Sequence, residues 1–391
     1  MSQNQRGDWM HPLCIPRQKE AAAMPVQYPD HHNCIANLAC SILRHYGITP
    51  PNATLPAADA LLAAHPAKHV LVLLVDGMGV SNMERHLSPE GFFRRHLVTP
   101  YSSTFPPTTV AATTAMLSGL TPNRSGWLGW VGYFPQVDRN VVYYWNVDND
   151  TGEPIRECNV PWTYVPYRSL TDLISQNGTA AYARLPFLPP FEPGHLPDLD
   201  TFLGNVEQLC EKDEPSYIYA YWDALDTLMH RNGVECDAVG QLMRQIEQRV
   251  EEMAARLKDT LLLITADHGH ISTRGAVLTD YPELAECLVR MPSIELRTVN
   301  LFVKPGMEKQ LENAFAKYFP DTFMLLTKQQ VLEKQLFGPG ENHPLLEGML
   351  GDYIAIAVSD MDIVNVPSDH KGNHAGITPE EMTIPLIAVK C

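Results

Sequence analysis

Basic residues are scarce in this chain: 29 Lys and Arg stand against 45 Asp and Glu among 391 residues, a formal net charge of −16. A surface that acidic repels polyanions, so binding to a nucleic-acid polymer or an anionic membrane is not expected. No apolar stretch approaches the roughly 18–20 residues a membrane-spanning helix needs. The first 30 residues are polar and punctuated by proline, without the charged and apolar segments of an export signal. Cysteine is present but unpatterned. Its eight copies, at positions 14, 34, 40, 158, 210, 236, 287 and 391, contain no Cys-x-x-Cys and no dense cluster. This argues against a zinc knuckle or a disulfide framework and leads us to expect free thiols in a cytoplasmic protein. Internal repeats and low-complexity linkers are also lacking.

What is present is an alternation. Apolar strand-like runs at 70–75, 98–103, 142–146, 179–183, 216–222 and 260–265 are separated by helical or loop segments, with strong helical patterns at 109–118 and 237–257. Alternation of this kind predicts an α/β fold, a mostly parallel central sheet with helices on both faces. Residues 1–30 read as an irregular arm, followed by a helix from Asn33 to His45 that Gly47 closes. After His270 the pattern changes: a strand at Leu296–Val303, a helix at Met307–Tyr318, short strands at 323–326 and 353–358, and a helix near 329–335. We read 271–365 as an α+β cap inserted into a catalytic core of 31–270 and 366–391, the core being completed by a last strand over 383–389.

The chemistry lies at the strand ends. The run Thr260-Leu-Leu-Leu-Ile-Thr-Ala ends in Asp267-His268-Gly269, and His69-Val-Leu-Val-Leu-Leu-Val ends in Asp76-Gly77. A third, Ser216-Tyr-Ile-Tyr-Ala-Tyr-Trp, is followed by Asp226 and, four residues later, His230. Near the C-terminus Gly372-Asn-His374-Ala-Gly376 precedes the last apolar run. Buried parallel strands are continuous apolar runs, and ligands in such sheets bind beyond their carboxyl ends. Asp76, Asp226, His230, Asp267, His268 and His374 form a set of carboxylate oxygens and imidazole nitrogens suited to two divalent metals. Asp226 and His230 would share a face on the first turns of a helix. A metal would also offset the negative charge that otherwise repels a phosphate-bearing substrate. Asp223 rivals Asp226 but lacks a His four residues on, and His370 rivals His374. His270 reads as structural or supporting, and His31-His32 as a turn leading into a helix. Arg184, Arg231 and Arg274 are candidate anion contacts, with surface roles as the alternative.

A nucleophile is available in Ser102-Ser-Thr-Phe-Pro-Pro-Thr-Thr-Val-Ala-Ala-Thr-Thr-Ala-Met-Leu-Ser-Gly119. Two prolines and a threonine pair open a helix that Gly119 closes. A hydroxyl on its first turn meets free backbone N–H groups and the positive end of the helix dipole, a place for a phosphate. Ordinary helix capping explains the same threonines.

Taken in order, Leu74-Val-Asp-Gly-Met-Gly79, Phe105-Pro-Pro-Thr-Thr109 through Leu117-Ser-Gly119, Tyr221-Trp-Asp-Ala-Leu-Asp-Thr-Leu-Met-His230, Ala266-Asp-His-Gly269 and His374-Ala-Gly-Ile-Thr-Pro-Glu-Glu381 resemble the alkaline phosphatase superfamily, most closely its type I phosphodiesterase/nucleotide pyrophosphatase branch. The resemblance implies that Asp226, His230 and His374 hold one metal, and that Asp76, Asp267 and His268 hold the other, within reach of the nucleophile. In that superfamily the nucleophile stands ten residues before the helix-ending glycine, which points to Thr109; Thr108 and Thr104 are the alternatives. The implied reaction is hydrolysis of a small phosphate ester through a phosphothreonine, with two divalent ions, zinc or else manganese. The family's phosphoryl-binding Asn has no counterpart at Gly126-Trp-Leu-Gly-Trp130. The aromatics Trp127, Trp130, Tyr133 and Tyr144 either line a pocket or fill the core. The competing readings are a phosphomonoesterase, phosphonate or sulfate ester hydrolase on the same fold, and a non-catalytic metal-binding protein.

Overall fold

A computed structural model describes residues 23–184 and 198–391. Of the arm expected over 1–30, residues 1–22 lie outside the described residues; the remainder is irregular, with the Met24 N–H donating to Val358 O and the Gln27 N–H to Ile377 O. The central sheet has six strands in the order Leu97–Ser102, Thr383–Lys390, Thr260–Thr265, His69–Val75, Ser216–Trp222, Ala180–Arg184. The last four are mutually parallel, and Thr383–Lys390 runs antiparallel to both of its neighbours. The three inner parallel strands are buried along their whole length, which is why they read as unbroken apolar runs. The amphipathic helix Asp237–Ala254 turns Val239, Met243, Ile246, Val250 and Met253 inward against this sheet.

A second sheet, entirely antiparallel, has the order Phe323–Thr327, Tyr353–Ala357, Thr298–Leu301, Ser293–Ile294, Val131–Phe134, Arg139–Val142, Val147–Asp148. Four of these strands come from the stretch read as the cap. The other three form a meander from 131–148, joined through Ile294 opposite Val131. The strand expected at 142–146 is therefore corrected: pairing stops at Val142 and residues 143–146 turn. Beyond Val142 the run Tyr143-Tyr144-Trp145 is satisfied by aromatic contact instead of a ladder. Tyr143 and Tyr144 lie 5.0 and 6.1 Å from the buried Trp127 ring, and Asn146 closes the turn at φ +50°.

Candidate active site

Each strand of the parallel core delivers its polar residues where the apolar run ends. Asp76 follows the strand ending at Val75, Asp267 and His268 follow the strand ending at Thr265, and Asp226 and His230 sit on the helix Ala224–Asn232 that leaves the strand ending at Trp222. The elements approach closely, and glycine is required where they do. Gly77 has φ +73°, and a Cβ there would lie 2.7 Å from Met229 Cε and 3.3 Å from Asp226 Cβ. At Gly269 a Cβ would fall 1.8 Å from Glu380 O. The helix Thr109–Ser118 begins after extended Thr108 and ends at Gly119 in the left-handed region, and its residues from Val110 onward are buried.

All seven residues singled out from the sequence converge. His268 Nε2 lies 3.2 Å from Asp76 Oδ1, 3.6 Å from Asp267 Oδ2 and 3.2 Å from Thr109 Oγ1. Asp226 lies 3.3 Å from His230 Nε2 and 3.9 Å from His374 Nε2. The His268 and His374 rings stack at 3.7 Å, joining the two halves. Asp226, His230 and His374 offer ligand atoms within 4.8 Å of one another, as do Asp76, Asp226 and His268, so Asp226 stands between the groups.

The imidazoles are turned for coordination. Nδ1 faces a backbone carbonyl in every case: His230 to Gly372 O at 2.9 Å, His268 to Gly269 O at 2.9 Å, His374 to Pro107 O at 3.1 Å and His270 to Ile271 O at 3.3 Å. A carbonyl only accepts, so Nδ1 carries a hydrogen and each Nε2 is turned inward, able to coordinate once it is free of a proton. The carboxylates present matching gaps. Among the described residues Asp76 Oδ1, Asp226 Oδ1 and Asp267 Oδ2 are buried with imidazole Nε2 atoms facing them at 3.2–3.9 Å but no hydrogen bond made, and His270 Nε2 makes none either. Buried acceptors left unmade are expensive, and a divalent cation is what this donor set fits.

Electrostatics says the same. Burial and the neighbouring Asp76 charge push Asp267 well above the usual carboxylate range. Burial opposes charge on His268, but Asp267 and Asp76 outweigh it and raise the imidazole to about 10. Burial also works against charge on Asp226, yet His230 and His270 hold it low. In the metal-free cluster bound protons relieve the crowded negative charge, and a divalent cation would take their place.

The rivals separate. Thr108 Oγ1 donates to Glu295 Oε1 at 2.5 Å and Thr104 Oγ1 to Pro106 O at 3.1 Å, so among the three candidate hydroxyls Thr109 is the one beside His268. Asp223 belongs to neither ligand group, and burial lifts its carboxyl to about 6. His370 is also outside both groups, with its ring 5.0 Å from that of His230. His31 Nε2 donates to Gln335 O at 2.8 Å, and the pair does occupy a turn. Arg274 pairs with Asp360 at 2.8 Å and Arg184 is exposed, whereas Arg231 lines the cavity.

Three residues were not legible as site residues. His270, read as supporting, reaches 3.4 Å from Asp226 Oδ1, and burial lowers its pKa to about 4. The Tyr221 hydroxyl donates to Asp76 Oδ2. Glu295 accepts from Thr108 and, at 2.7 Å, from the Trp130 N–H; burial raises its carboxyl to about 7. A cavity of about 640 Å³ opens above Thr109, walled by Trp130, Trp145, Glu295, Arg231 and His370. Of the four aromatics, Trp130 faces this cavity. Trp127 is buried with its Nε1–H donating to Val165 O at 2.8 Å, Tyr133 carries the Arg290 guanidinium 4.0 Å over its ring, and Tyr144 bonds Thr113 at 2.8 Å.

Among solved structures, murine ectonucleotide pyrophosphatase/phosphodiesterase 5 superposes with a TM-score of 0.61 at 16% identity, covering 82% of this chain and 87% of that one. An inactive threonine-to-alanine form of the murine protein in complex with AMP gives 0.58 at 15% identity, covering 82% and 87%. Phosphonoacetate hydrolase from Sinorhizobium meliloti 1021, in complex with phosphonoacetate, gives 0.60 at 11% identity, covering 83% and 89%. At these identities the likeness establishes an alkaline phosphatase-like fold. No curated protein sequence matches the chain. Residues 70–317 match the family model for type I phosphodiesterase / nucleotide pyrophosphatase, and the chain belongs to that family of phosphoester hydrolases.

Proposed function

We propose that the protein hydrolyses small phosphoric diesters at a two-metal centre, through a phosphothreonine formed on Thr109. The observation that carries this reading is the placement of Thr109 Oγ1. It lies at the floor of the cavity, 3.2 Å from His268 Nε2, on the first turn of a buried helix and beside carboxylates that each keep an oxygen without a hydrogen bond. Two divalent ions, one held by Asp226, His230 and His374 and the other by Asp76, Asp267 and His268, would supply Lewis-acid stabilisation of the attacking and leaving oxygens. Zinc suits a set with this many imidazoles, and manganese is the alternative.

The chain's own groups account for the rest. Thr109 Oγ1 attacks phosphorus in line, the O–P bond to the alcohol breaks, and water then displaces the phosphoryl group from Thr109 through the same cavity. The first-turn N–H groups face developing charge on the phosphoryl oxygens. Above pH 7, where Glu295 is ionised, its carboxylate beside Thr108 opposes a second negative charge on the substrate and so favours a diester over a monoester. The inactivity of the murine threonine variant supports a threonine nucleophile here by analogy of fold. An acidic chain of net charge −16 suits a small substrate better than a nucleic-acid polymer or an anionic membrane. Among the described residues no helix is long and apolar enough to cross a membrane. The seven described cysteines are all unpaired, which supports a reducing compartment such as the cytoplasm.

The test is a metal-dependent hydrolysis panel of bis-p-nitrophenyl phosphate, p-nitrophenyl phosphate, a phosphonate monoester and p-nitrophenyl sulfate. Turnover highest on the diester is expected. Preference for the monoester, the phosphonate or the sulfate would replace the diester reading, and metal-dependent turnover on none of them would overturn it.

A further inference from the structure

Between the two sheets lies a charged cluster that touches no candidate ligand. Arg297 and Glu381 are both fully buried and form a two-pronged ion pair, Nε to Oε1 at 2.7 Å and Nη2 to Oε2 at 3.0 Å. The guanidinium also donates to Met361 O at 2.9 Å, Ser359 O at 2.8 Å and Asp362 Oδ1 at 3.3 Å. What matters is where these partners lead. Glu381 Oε1 accepts the Gly376 N–H at 2.6 Å, and Oε2 accepts the Thr378 hydroxyl at 2.8 Å. Asp362 Oδ2 accepts from Asn373 Nδ2 at 3.2 Å, and Asn373 Oδ1 in turn accepts the His374 N–H at 2.9 Å. Thr298, next to Arg297, donates to Ala375 O at 2.5 Å, holding Ala375 at φ +80°. His374 is thus bracketed on both sides by bonds that trace back to Arg297.

The same pair reaches the other half of the centre. The Gly269 N–H donates to the main-chain carbonyl of Glu381 at 2.8 Å, and the Gly269 carbonyl accepts His268 Nδ1 at 2.9 Å. No side chain fits at Gly269, because residue 380 lies against its Cα. A shift of Glu381 therefore moves His268 and His374 together.

We infer that the Arg297–Glu381 ion pair is the positioning element that sets the two histidines against each other, and with them the two metal half-sites. The inference rests on the two-metal reading above. Neither residue touches substrate or ligand atoms; both act through His268 and His374. Groups that orient metal ligands typically contribute about 10–100-fold to metal affinity.

The experiment compares metal-free wild type with the double variant Arg297→Met/Glu381→Leu, titrating each with zinc against a chelating competitor and following thermal unfolding of the metal-free proteins. Replacing a buried ion pair by apolar groups is often neutral for stability, but Asp362, 3.3 Å from Arg297, loses its cation, so the double variant is expected to fold with lowered stability. Its affinity should fall roughly 10–100-fold at both zinc sites, with an altered visible spectrum on cobalt substitution. A purely structural pair would change the unfolding temperature and leave affinity and spectrum alone. Glu381→Gln, which keeps an acceptor for Gly376, and Thr298→Val should weaken zinc by smaller factors. They carry the test by the same criteria if the double variant does not fold. Folded variants that bind two zinc ions with wild-type affinity, or lose only one site, would overturn the inference and leave the proposed function standing. A wild type that binds no divalent metal would overturn both.

Discussion

Replacing Thr109 by alanine separates chemistry from folding more cleanly than any other change at this site. Thr109 is the first residue of its helix and Thr108 stands at the cap position without a side-chain capping bond, so neither hydroxyl satisfies the helix end. Its contact is with His268 Nε2 at 3.2 Å, and that nitrogen also lies 3.2 Å from Asp76 Oδ1. Alanine has the best helix propensity, gaining up to about 0.5 kcal/mol over threonine. Loss of the γ-methyl and hydroxyl from a half-buried position offsets this, so we expect stability unchanged within ~1 kcal/mol. None of the six Asp and His ligand candidates is touched, and zinc content should persist. Turnover should fall by at least ~10³-fold, about 4 kcal/mol of barrier, and Thr109→Ser should recover part of it. Thr108→Ala inverts the pattern. It removes the 2.5 Å bond to Glu295, costing about 1 kcal/mol of stability, while turnover should drop less than ~10-fold. The assays are steady-state kinetics on the diester, thermal unfolding, metal analysis, and trapping of phosphoprotein by acid quench. Thr109→Ala retaining a tenth of wild-type activity, or phosphate trapped on Thr108 or Thr104, would refute the assignment.

Glu295→Gln keeps the acceptor for Thr108 and the Trp130 N–H but removes the charge, so kcat/KM for a monoester relative to a diester should rise about tenfold, from the repulsion of like charges across the cavity. Glu295 also carries a pH signature. Burial raises its folded pKa to about 7, so its contribution to stability is fully present below its ordinary value near 4.5 and is lost as pH rises through 7. Glu295→Gln should therefore be more stable than wild type at pH 8, by at most ~3.4 kcal/mol, and unfold at a higher temperature, with the gap closing by pH 5 in metal-free protein. Dialysis against a chelator should abolish turnover and lower the unfolding temperature. Zinc at 100 times its Kd should restore about 2.7 kcal/mol of stability, and an unfolding temperature indifferent to metal would contradict the site. His270→Ala should weaken metal binding about tenfold through its contact with Asp226, whereas His370→Ala, outside both ligand groups, should alter KM and leave metal affinity unchanged.

The fold was legible where both faces of a strand are buried. His69–Val75, Ser216–Trp222 and Thr260–Thr265 have no solvent face to interrupt them with polar residues, so their limits follow from composition alone. The nucleophile helix was legible for a different reason, since Pro106-Pro107 and Gly119 mark its ends and the structure places it at Thr109–Ser118. The misread stretch at 142–146 shows the limit. Val142-Tyr-Tyr-Trp145 has strand composition, but Tyr143 and Tyr144 gather on Trp127 and Trp145 on Trp130, and the left-handed Asn146 reverses the chain. Local pattern cannot distinguish an aromatic cluster from a ladder.

The candidate site divides along the same line. Asp76, Asp226, Asp267 and His268 could be found because parallel strands deliver their carboxyl ends to one edge, so residues far apart in sequence share one address. Arg297 and Glu295 come instead from the antiparallel sheet, whose approach to that edge depends on how the two layers meet. The polar run Ser293-Ile-Glu-Leu-Arg-Thr-Val-Asn300 does not mark Arg297 as buried, and an unpaired buried guanidinium is prohibitively costly, so burial requires a partner. Nothing in that run says that the partner is Glu381, 84 positions later. The parallel sheet thus makes the ligand candidates readable, while their relative placement is set by tertiary contacts that only the folded chain reveals.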